Sequence, residues 1–176
     1  MNIILIGFKS SGKSTTGSLL AQLSGKSFID TDSLVESLFD DRENIYLSCR
    51  GIYQKFGAAY MRALETDAMK TVTELDNFVV ATGGGVILQE ENLPLLRKTG
   101  LIAFLDVPLE VLQKRLSGST SPLFKEKSVA QVYAERYPFY AAAAAIRYTV
   151  KAGEEPQEVA QALYDNILSY SDPKAI

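Results

Sequence analysis

The chain has 176 residues, 47% hydrophobic and 22% charged, with a formal net charge of −3, which fits a single globular domain over 1–176. Weak acidity without a basic cluster argues against a nucleic-acid partner, and the absence of an apolar run of about 18 residues argues against a membrane span. A lone cysteine and no histidine exclude an internal disulfide, Ser-His catalysis and most zinc sites, and suit a cytoplasmic protein.

Apolar runs alternate with helical patterns along the chain. We predict five strands at 2–6, 27–29, 78–81, 101–105 and 146–150 and six helices at 13–23, 33–40, 58–75, 108–117, 129–136 and 157–169. Nearly continuous apolar strands alternating with helices are typical of a parallel sheet covered on both faces. Two segments interrupt this alternation: a long helical insertion at 33–75, and a small, polar, glycine-bearing loop that begins at 117 and should be mobile.

The first predicted strand leads into a glycine-rich loop that matches G-x-x-x-x-G-K-[ST], which we call the P-loop (residues 7–14). Its glycines let backbone amides surround an anion, and the following helix adds partial positive charge. Lys13 should reach the outer phosphates of a nucleotide, and the Ser14 hydroxyl should bind Mg²⁺. The predicted ATP-binding residues here are Gly7, Lys9, Ser10, Ser11, Gly12, Lys13, Ser14 and Thr15.

The carboxylates nearest to this loop follow the second predicted strand, as Asp30-Thr31-Asp32. The strand at 78–81 ends without an acidic residue, although P-loop proteins often carry the metal's carboxylate there. Asp30 and Asp32 occupy alternate positions and can therefore face one cleft. Taken alone, the run could equally be a solvated turn and helix cap. Beside a phosphate site, we favour a functional role for both.

Two further features have an ordinary explanation when taken singly, and a third, a run of glycines, has none. Arg62 and Glu65 have the i,i+3 spacing of a surface ion pair, and Arg136 could be a cation near a helix end. The run Ala81-Thr82-Gly83-Gly84-Gly85, whose last three residues we call the glycine triplet, is costly in backbone entropy and buries no side chain.

Taken in chain order, these motifs closely resemble the shikimate kinases over roughly residues 1–150. The resemblance rests on the P-loop with its continuation to Gly17, Asp30-Thr31-Asp32, Ile52-Tyr53, Gly57, Met61-Arg62-x-x-Glu65, the glycine triplet, Arg115, Pro122-Leu123 and Arg136-x-Pro-x-Tyr140. It implies a three-layer α/β P-loop fold with a five-stranded parallel sheet of order 2-3-1-4-5. It also implies phosphoryl transfer from ATP to the 3-hydroxyl of shikimate, in chorismate biosynthesis.

The resemblance also implies a role for each matching residue. Arg62 and Arg136 would hold the shikimate carboxylate, the triplet Gly83, Gly84 and Gly85 would line the acceptor pocket, and Arg115 would stack on adenine. Asp32 would bind the ring hydroxyls and orient or deprotonate the attacking one, so Asp32 and Lys13 are the predicted catalytic residues. Asp30 and Ser14 would hold Mg²⁺. The insertion at 33–75 would bind the acceptor, 117–128 would be a mobile lid, and we expect a monomer.

The sequence departs from the family pattern at four positions. Ala58 stands in place of glutamate, Met61 of phenylalanine, Ala145 of aspartate, and Ser121 of the lid arginine. These departures leave two alternatives open: a nucleotide-binding protein with weak or no kinase activity, and a kinase for another small polyol acid such as gluconate. For the lid we hypothesise that Lys125 or Lys127, preferably Lys125, replaces the arginine; the alternative is that both are solvated surface lysines.

Overall fold

The computed structural model describes residues 1–170 and contains one five-stranded sheet in which every neighbouring pair of strands is parallel. The spatial order is β2-β3-β1-β4-β5, which confirms the order expected from the resemblance. The strands are β1 (Asn2–Ile6), β2 (Ser27–Asp30), β3 (Phe78–Ala81), β4 (Gly100–Asp106) and β5 (Ile146–Thr149).

Seven α-helices surround this sheet in the described part of the chain. They are α1 (Lys13–Ser24), α2 (Thr31–Glu43), α3 (Cys49–Thr73), α4 (Asn92–Thr99), α5 (Leu109–Arg115), α6 (Val129–Ala143) and α7 (Pro156–Ser169), with short 3-10 turns at Val86–Leu88 and Pro122–Phe124. Among residues 1–170, no helix combines the length and apolarity needed to cross a membrane.

The sheet separates two hydrophobic clusters, because successive strand side chains point to opposite faces. Ile3 and Leu5 of β1 pack on one face with Leu20 of α1 and Leu163 of α7. Ile4 and Ile6 belong to the other, larger cluster, together with buried residues of α2, α3, α4 and α6. All five residues of β1 are buried, as expected for a central parallel strand. The arrangement is the three-layer α/β architecture that the sequence predicts.

Two helices of the insertion begin earlier than their sequence patterns indicate. α2 begins at Thr31 rather than at 33, because the Asp30 carboxylate accepts a hydrogen bond from the Asp32 amide at 2.9 Å and caps the helix. α3 begins at Cys49, after the Ser48 cap, and not at 58. It bends at Gly57, whose φ of 84° lies outside the helical region. The pattern beyond the bend therefore predicted only the second part of α3.

Two further large differences concern a missed helix and a helix that passes a proline, whereas the remaining bounds differ by at most three residues. The sequence analysis did not predict α4. α6 was predicted to end at 136 but continues through Pro138 to Ala143. Tyr137 and Tyr140 flank the proline and pack on Phe104 of β4, with ring centroids 5.7 and 5.3 Å away. This packing keeps the helix continuous although proline cannot donate a backbone hydrogen bond.

Candidate active site

The P-loop joins β1 to α1 and requires glycine at both ends. Gly7 has a φ of 153°, and a Cβ atom placed on it would lie 2.8 Å from the carbonyl oxygen of Leu105. Gly12 has a φ of 94°, in the region that residues with side chains rarely adopt. The loop between them closes through a hydrogen bond from the Ser11 amide to the Phe8 carbonyl. The result is a compact turn at the N-terminus of α1.

Lys13 is buried against this loop, with only 8% of the residue exposed. Its ammonium group donates to the carbonyl oxygens of Gly7 and Phe8 at 3.0 and 2.8 Å and to the Ser11 hydroxyl at 3.2 Å. Burial lowers the pKa of Lys13 to about 8, although the nearby Asp32 carboxylate favours the charged form. An anion bound in the loop would offset this cost of burial.

Ser14 and Asp30 present two oxygen atoms side by side at the open end of the loop. The Ser14 hydroxyl donates to Asp30 Oδ2 at 2.5 Å, and both residues line the same cleft. Mg²⁺ in nucleotide-binding sites commonly takes one or two protein oxygens and completes its shell with water and phosphate oxygens. Among residues 1–170 there is no group of three His, Cys, Asp or Glu side chains that could hold a metal. The Ser14 and Asp30 pair fits the smaller ligand set.

Asp32 lies in the first turn of α2 and faces the cleft. Burial raises the pKa of Asp32, and the negative charge of Asp30 raises it further. The positive charge of Lys13 lowers it. A Cβ atom placed on Gly83 would lie 2.6 Å from Asp32 Oδ1, so the first glycine of the triplet leaves room for this carboxylate. The Gly83 amide donates to the Thr31 hydroxyl at 2.9 Å, which ties the triplet to α2.

Arg62 is held at the cleft by a buried carboxylate. Its guanidinium donates to Glu65 Oε2 at 2.5 Å; the Glu65 side chain is 6% exposed, whereas that of Arg62 is 38% exposed. Gln89 also donates to Glu65 Oε2, at 3.0 Å. Burial raises the pKa of Glu65 and Arg62 opposes the shift. A Cβ atom on Gly85 would lie 2.5 Å from Arg62, so the last glycine of the triplet leaves room for the guanidinium.

Arg136 reaches the same cleft from α6. It donates to the carbonyl oxygen of Gly84 at 3.1 Å, and the Tyr140 hydroxyl donates to the same oxygen at 2.5 Å. Tyr140 is buried and packs on the sheet through Phe104. Two side chains of α6 therefore hold the carbonyl group of Gly84, the middle glycine of the triplet. The hydrogen bond to this carbonyl also positions the Arg136 side chain at the cleft.

These groups line one cleft of about 560 Å³. Most of the residues predicted from the sequence meet there, namely Lys9, Ser10, Gly12, Lys13, Ser14, Thr15, Asp30, Asp32, Arg62, Gly83, Gly84, Gly85 and Arg136. Two departures from the family pattern, Met61 and Ser121, also line it, whereas Ala58 and Ala145 do not. The P-loop, the insertion at 33–75 and the segment 117–128, which we predict to be a lid, thus contribute to a single site.

Four residues of the predicted ATP site lie outside the cleft lining. Gly7 and Ser11 are buried residues of the P-loop. Arg115 donates a hydrogen bond to the Ser10 carbonyl of this loop at 3.1 Å. This position next to the loop is compatible with a contact to a nucleotide base, which stays a prediction. Lys125 is exposed in the lid, and its role also stays a prediction. Lys127 pairs with Glu135 at 2.6 Å.

The sequence analysis missed some residues that line or support the cleft. Cys49, Arg50 and Thr120 line it, and no motif distinguished them as ligands. Tyr53 also lines it; it belonged to the Ile52-Tyr53 motif but was not predicted as a site residue. Cys49 donates to the backbone carbonyl of Asp32, and burial raises the pKa of its thiol, so it is no activated nucleophile. Tyr140 belonged to the motif around Arg136, yet only its contact with Gly84 shows that it supports the glycine triplet.

Comparison with known proteins agrees with this geometry. The family model described as shikimate kinase matches residues 9–168. A shikimate kinase from Aquifex aeolicus is 38% identical over 162 residues, covering 90% of this chain and 91% of the relative. One from Nostoc punctiforme is 32% identical and covers 99% and 95% of the two chains.

Solved structures of similar proteins share the fold over nearly the whole length. Shikimate kinase from Acinetobacter baumannii in complex with shikimate superposes with a TM-score of 0.81 at 29% identity, covering 96% of this chain and 93% of that one. The crystal structure of the Aquifex aeolicus enzyme gives a TM-score of 0.75 at 36% identity, covering 97% and 100%. On the strength of the family model and of relatives more than 30% identical over most of their length, this chain belongs to the shikimate kinase family.

Proposed function

We propose that the protein transfers the γ-phosphoryl group of ATP to the 3-hydroxyl of shikimate, giving shikimate 3-phosphate and ADP. The bond between the γ-phosphorus and the β,γ-bridging oxygen breaks, a bond from the shikimate oxygen forms, and the hydroxyl proton leaves. The observation that carries the proposal is the meeting of the P-loop, Asp32, Arg62, Arg136 and the glycine triplet in one cleft.

The acceptor end of the cleft suits a molecule with one carboxylate and several hydroxyls. Arg62 and Arg136 approach it from α3 and α6, and each guanidinium has donors beyond those used by Glu65 and by the Gly84 carbonyl. Planar guanidinium groups suit a carboxylate because they can donate two parallel hydrogen bonds. The two arginines would therefore fix the carboxylate end of shikimate and direct the ring towards Asp32.

Asp32 would accept the proton of the attacking hydroxyl. Burial raises the pKa of Asp32, which makes its carboxylate a better proton acceptor than that of an ordinary aspartate, and the nearby charge of Lys13 favours the ionised form. Because Gly83 has no side chain, the space beside Asp32 Oδ1 stays free for the substrate ring. Asp32 therefore orients the hydroxyl and holds its proton as the phosphoryl group is transferred.

The phosphate end combines Lys13 with the oxygen pair of Ser14 and Asp30. Lys13 would exchange its hydrogen bonds to the loop carbonyls for bonds to the outer phosphates and offset the charge on the transferring group. Ser14 and Asp30 would hold Mg²⁺, which supplies charge neutralisation at the β- and γ-phosphates. The exposed position of Ser14 leaves its hydroxyl accessible to such an ion.

A coupled assay of ADP formation tests the proposal. ATP and Mg²⁺ are supplied with shikimate, with gluconate, or with no acceptor. We expect turnover that requires shikimate. Turnover with gluconate alone would show a kinase for another polyol acid. Nucleotide binding without turnover on either acceptor would show a nucleotide-binding protein that lacks kinase activity.

A further inference from the structure

Arg50 brings a guanidinium group into the candidate site. Neither the fold nor the motifs above explain why an arginine stands at this position. Arg50 lies in the first turn of α3 and lines the cleft together with the P-loop residues Lys13 and Ser14. A cation at the N-terminus of a helix is unfavourable, because the aligned peptide dipoles leave partial positive charge there. Helix stability therefore does not account for an arginine at this position.

The charge of Arg50 has no acidic partner in the described part of the chain. Its one side-chain hydrogen bond there runs from Nη1 to the hydroxyl of Thr120, at 2.9 Å. By contrast, Arg62 pairs with Glu65. Lys13 lies close to two carboxylates that favour its charged form. A guanidinium held by a single neutral hydroxyl can exchange that bond for a stronger one to an anion.

The hydrogen bond to Thr120 joins the guanidinium of Arg50 to the lid segment, next to Ser121. The next residue, Ser121, also lines the cleft and is too short to carry a charge to a bound phosphate. Lys125 is exposed outside the cleft lining, and Lys127 is paired with Glu135. Within residues 1–170, Arg50 is the cation that both lines the cleft and donates a hydrogen bond to the lid segment.

We propose that Arg50 binds the phosphoryl group being transferred and supplies the positive charge that the lid itself lacks at Ser121. Thr120 holds the guanidinium at the cleft until the nucleotide arrives. The inference rests on the proposed function for the identity of the acceptor, but nucleotide binding alone can test it. An arginine at a transferring phosphoryl group contributes substantially to its stabilisation.

The first experiment measures binding, which does not depend on turnover. Calorimetric titration with Mg²⁺ compares ADP with a non-hydrolysable ATP analogue in the wild type, Arg50→Ala and Arg50→Gln. We expect both variants to bind the ATP analogue at least about tenfold more weakly, equivalent to about 1.4 kcal/mol, with ADP affinity changed less than about threefold. Arg97→Ala removes an exposed arginine of α4 and is the matched control.

The second experiment separates charge at the phosphate from a contact that merely holds the lid. Arg50→Gln keeps a donor for Thr120 but removes the charge, whereas Thr120→Val removes the hydroxyl and keeps the charge. We expect kcat to fall at least about tenfold in Arg50→Gln and by clearly less in Thr120→Val. Adding Ser121→Arg to Arg50→Ala should restore at least about a third of wild-type kcat, because residue 121 lines the same cleft.

Three outcomes would overturn the inference. One is equal loss of ADP and ATP-analogue affinity in Arg50→Ala. Another is wild-type kcat in Arg50→Gln. The third is a loss of kcat in Lys125→Ala that exceeds the loss in Arg50→Ala, which would assign the charge to Lys125. If the wild type binds both nucleotides but phosphorylates no acceptor, the proposed function fails and the binding comparison still decides the role of Arg50.

Discussion

Gly85 lies directly against the guanidinium of Arg62: a Cβ atom on Gly85 would be 2.5 Å from Arg62 Nη1. The φ of Gly85 is −103°, which any residue can adopt, so close approach and not backbone conformation requires glycine here. At the other end of the triplet, Gly83 stands in the same relation to the Asp32 carboxylate. The triplet thus leaves room beside one backbone segment for two side chains of opposite charge.

Gly85→Ala should displace Arg62 without unfolding the protein. The half-exposed guanidinium can move away from the new methyl group, but it then leaves the position in which Glu65 holds it. We expect KM for shikimate to rise at least about tenfold and KM for ATP to change less than about threefold, measured by steady-state kinetics. Gly51→Ala is the control, because its methyl group would meet Leu47 at an ordinary 3.4 Å. Equal changes in both KM values would contradict this reading.

Asp32→Asn should lower kcat by about 100-fold or more while leaving ATP binding intact. Because folding raises the pKa of Asp32 above its ordinary value, the ionised carboxylate destabilises the fold once the pH exceeds that ordinary value. Asparagine removes this charge, so we also expect a Tm at or above that of the wild type at neutral pH. Thermal unfolding and single-turnover kinetics check the two effects. A variant with more than half of wild-type kcat would remove Asp32 from the mechanism.

Arg62→Lys and Arg136→Lys should each weaken shikimate binding more than ATP binding. Lysine keeps the charge but loses the planar fork that can donate two hydrogen bonds to a carboxylate. Lysine has a shorter side chain, so Arg136→Lys should also weaken the hydrogen bond to the Gly84 carbonyl and loosen the glycine triplet. We expect a higher KM for shikimate with little change in KM for ATP. Loss of ATP affinity of equal size would show that the arginines serve the nucleotide.

Nucleotide binding should be accompanied by proton uptake near pH 8.5. The pKa of Lys13 is about 8 in the free protein, so a substantial fraction of Lys13 is neutral at that pH. Phosphates bound to Lys13 favour the ammonium form and raise its pKa. Calorimetry with ADP, without Mg²⁺, in buffers of different ionisation enthalpy measures the protons taken up. Lys13→Arg should take up none, because arginine stays charged.

The same pKa also predicts how stability varies with pH. Folding lowers the pKa of Lys13 from 10.5 to about 8, so between these values the unfolded chain holds more protons than the folded one. The contribution of Lys13 to the free energy of unfolding therefore rises with pH across this window. Comparing urea unfolding of the wild type with Lys13→Met at pH 7.5 and 9.5 isolates that contribution. If burial of the charge destabilises the wild type, Lys13→Met should be more stable than the wild type at pH 7.5, and this difference should shrink at pH 9.5.

The sequence by itself determined the order of the five strands, the order of six of the seven helices in the described residues, and the nucleotide loop. Continuous apolar runs predict buried parallel strands whatever surrounds them, and the P-loop motif sets its own backbone conformation through Gly7, Gly12 and the start of α1. The motifs that resemble shikimate kinases also singled out Asp32, Arg62 and Arg136, which the structure brings into one cleft, and their role at the acceptor stays a prediction. These are local patterns, or combinations of local patterns, and they can be read without the fold.

Only the tertiary structure decided which of these groups meet and why the glycine triplet is needed. Gly83 and Gly85 are far from Asp32 and Arg62 along the chain. Gly83 meets Asp32 because β2 and β3 end at the same edge of the sheet, whereas Gly85 meets Arg62 because α3 packs against the segment that follows β3. The start of α3 at Cys49 depends on the Ser48 cap and on packing beyond the Gly57 bend, so Arg50 could not be placed in the cleft from periodicity. Its contact with Thr120 joins residues 70 positions apart, and pairing over such a distance is set by packing of the whole domain.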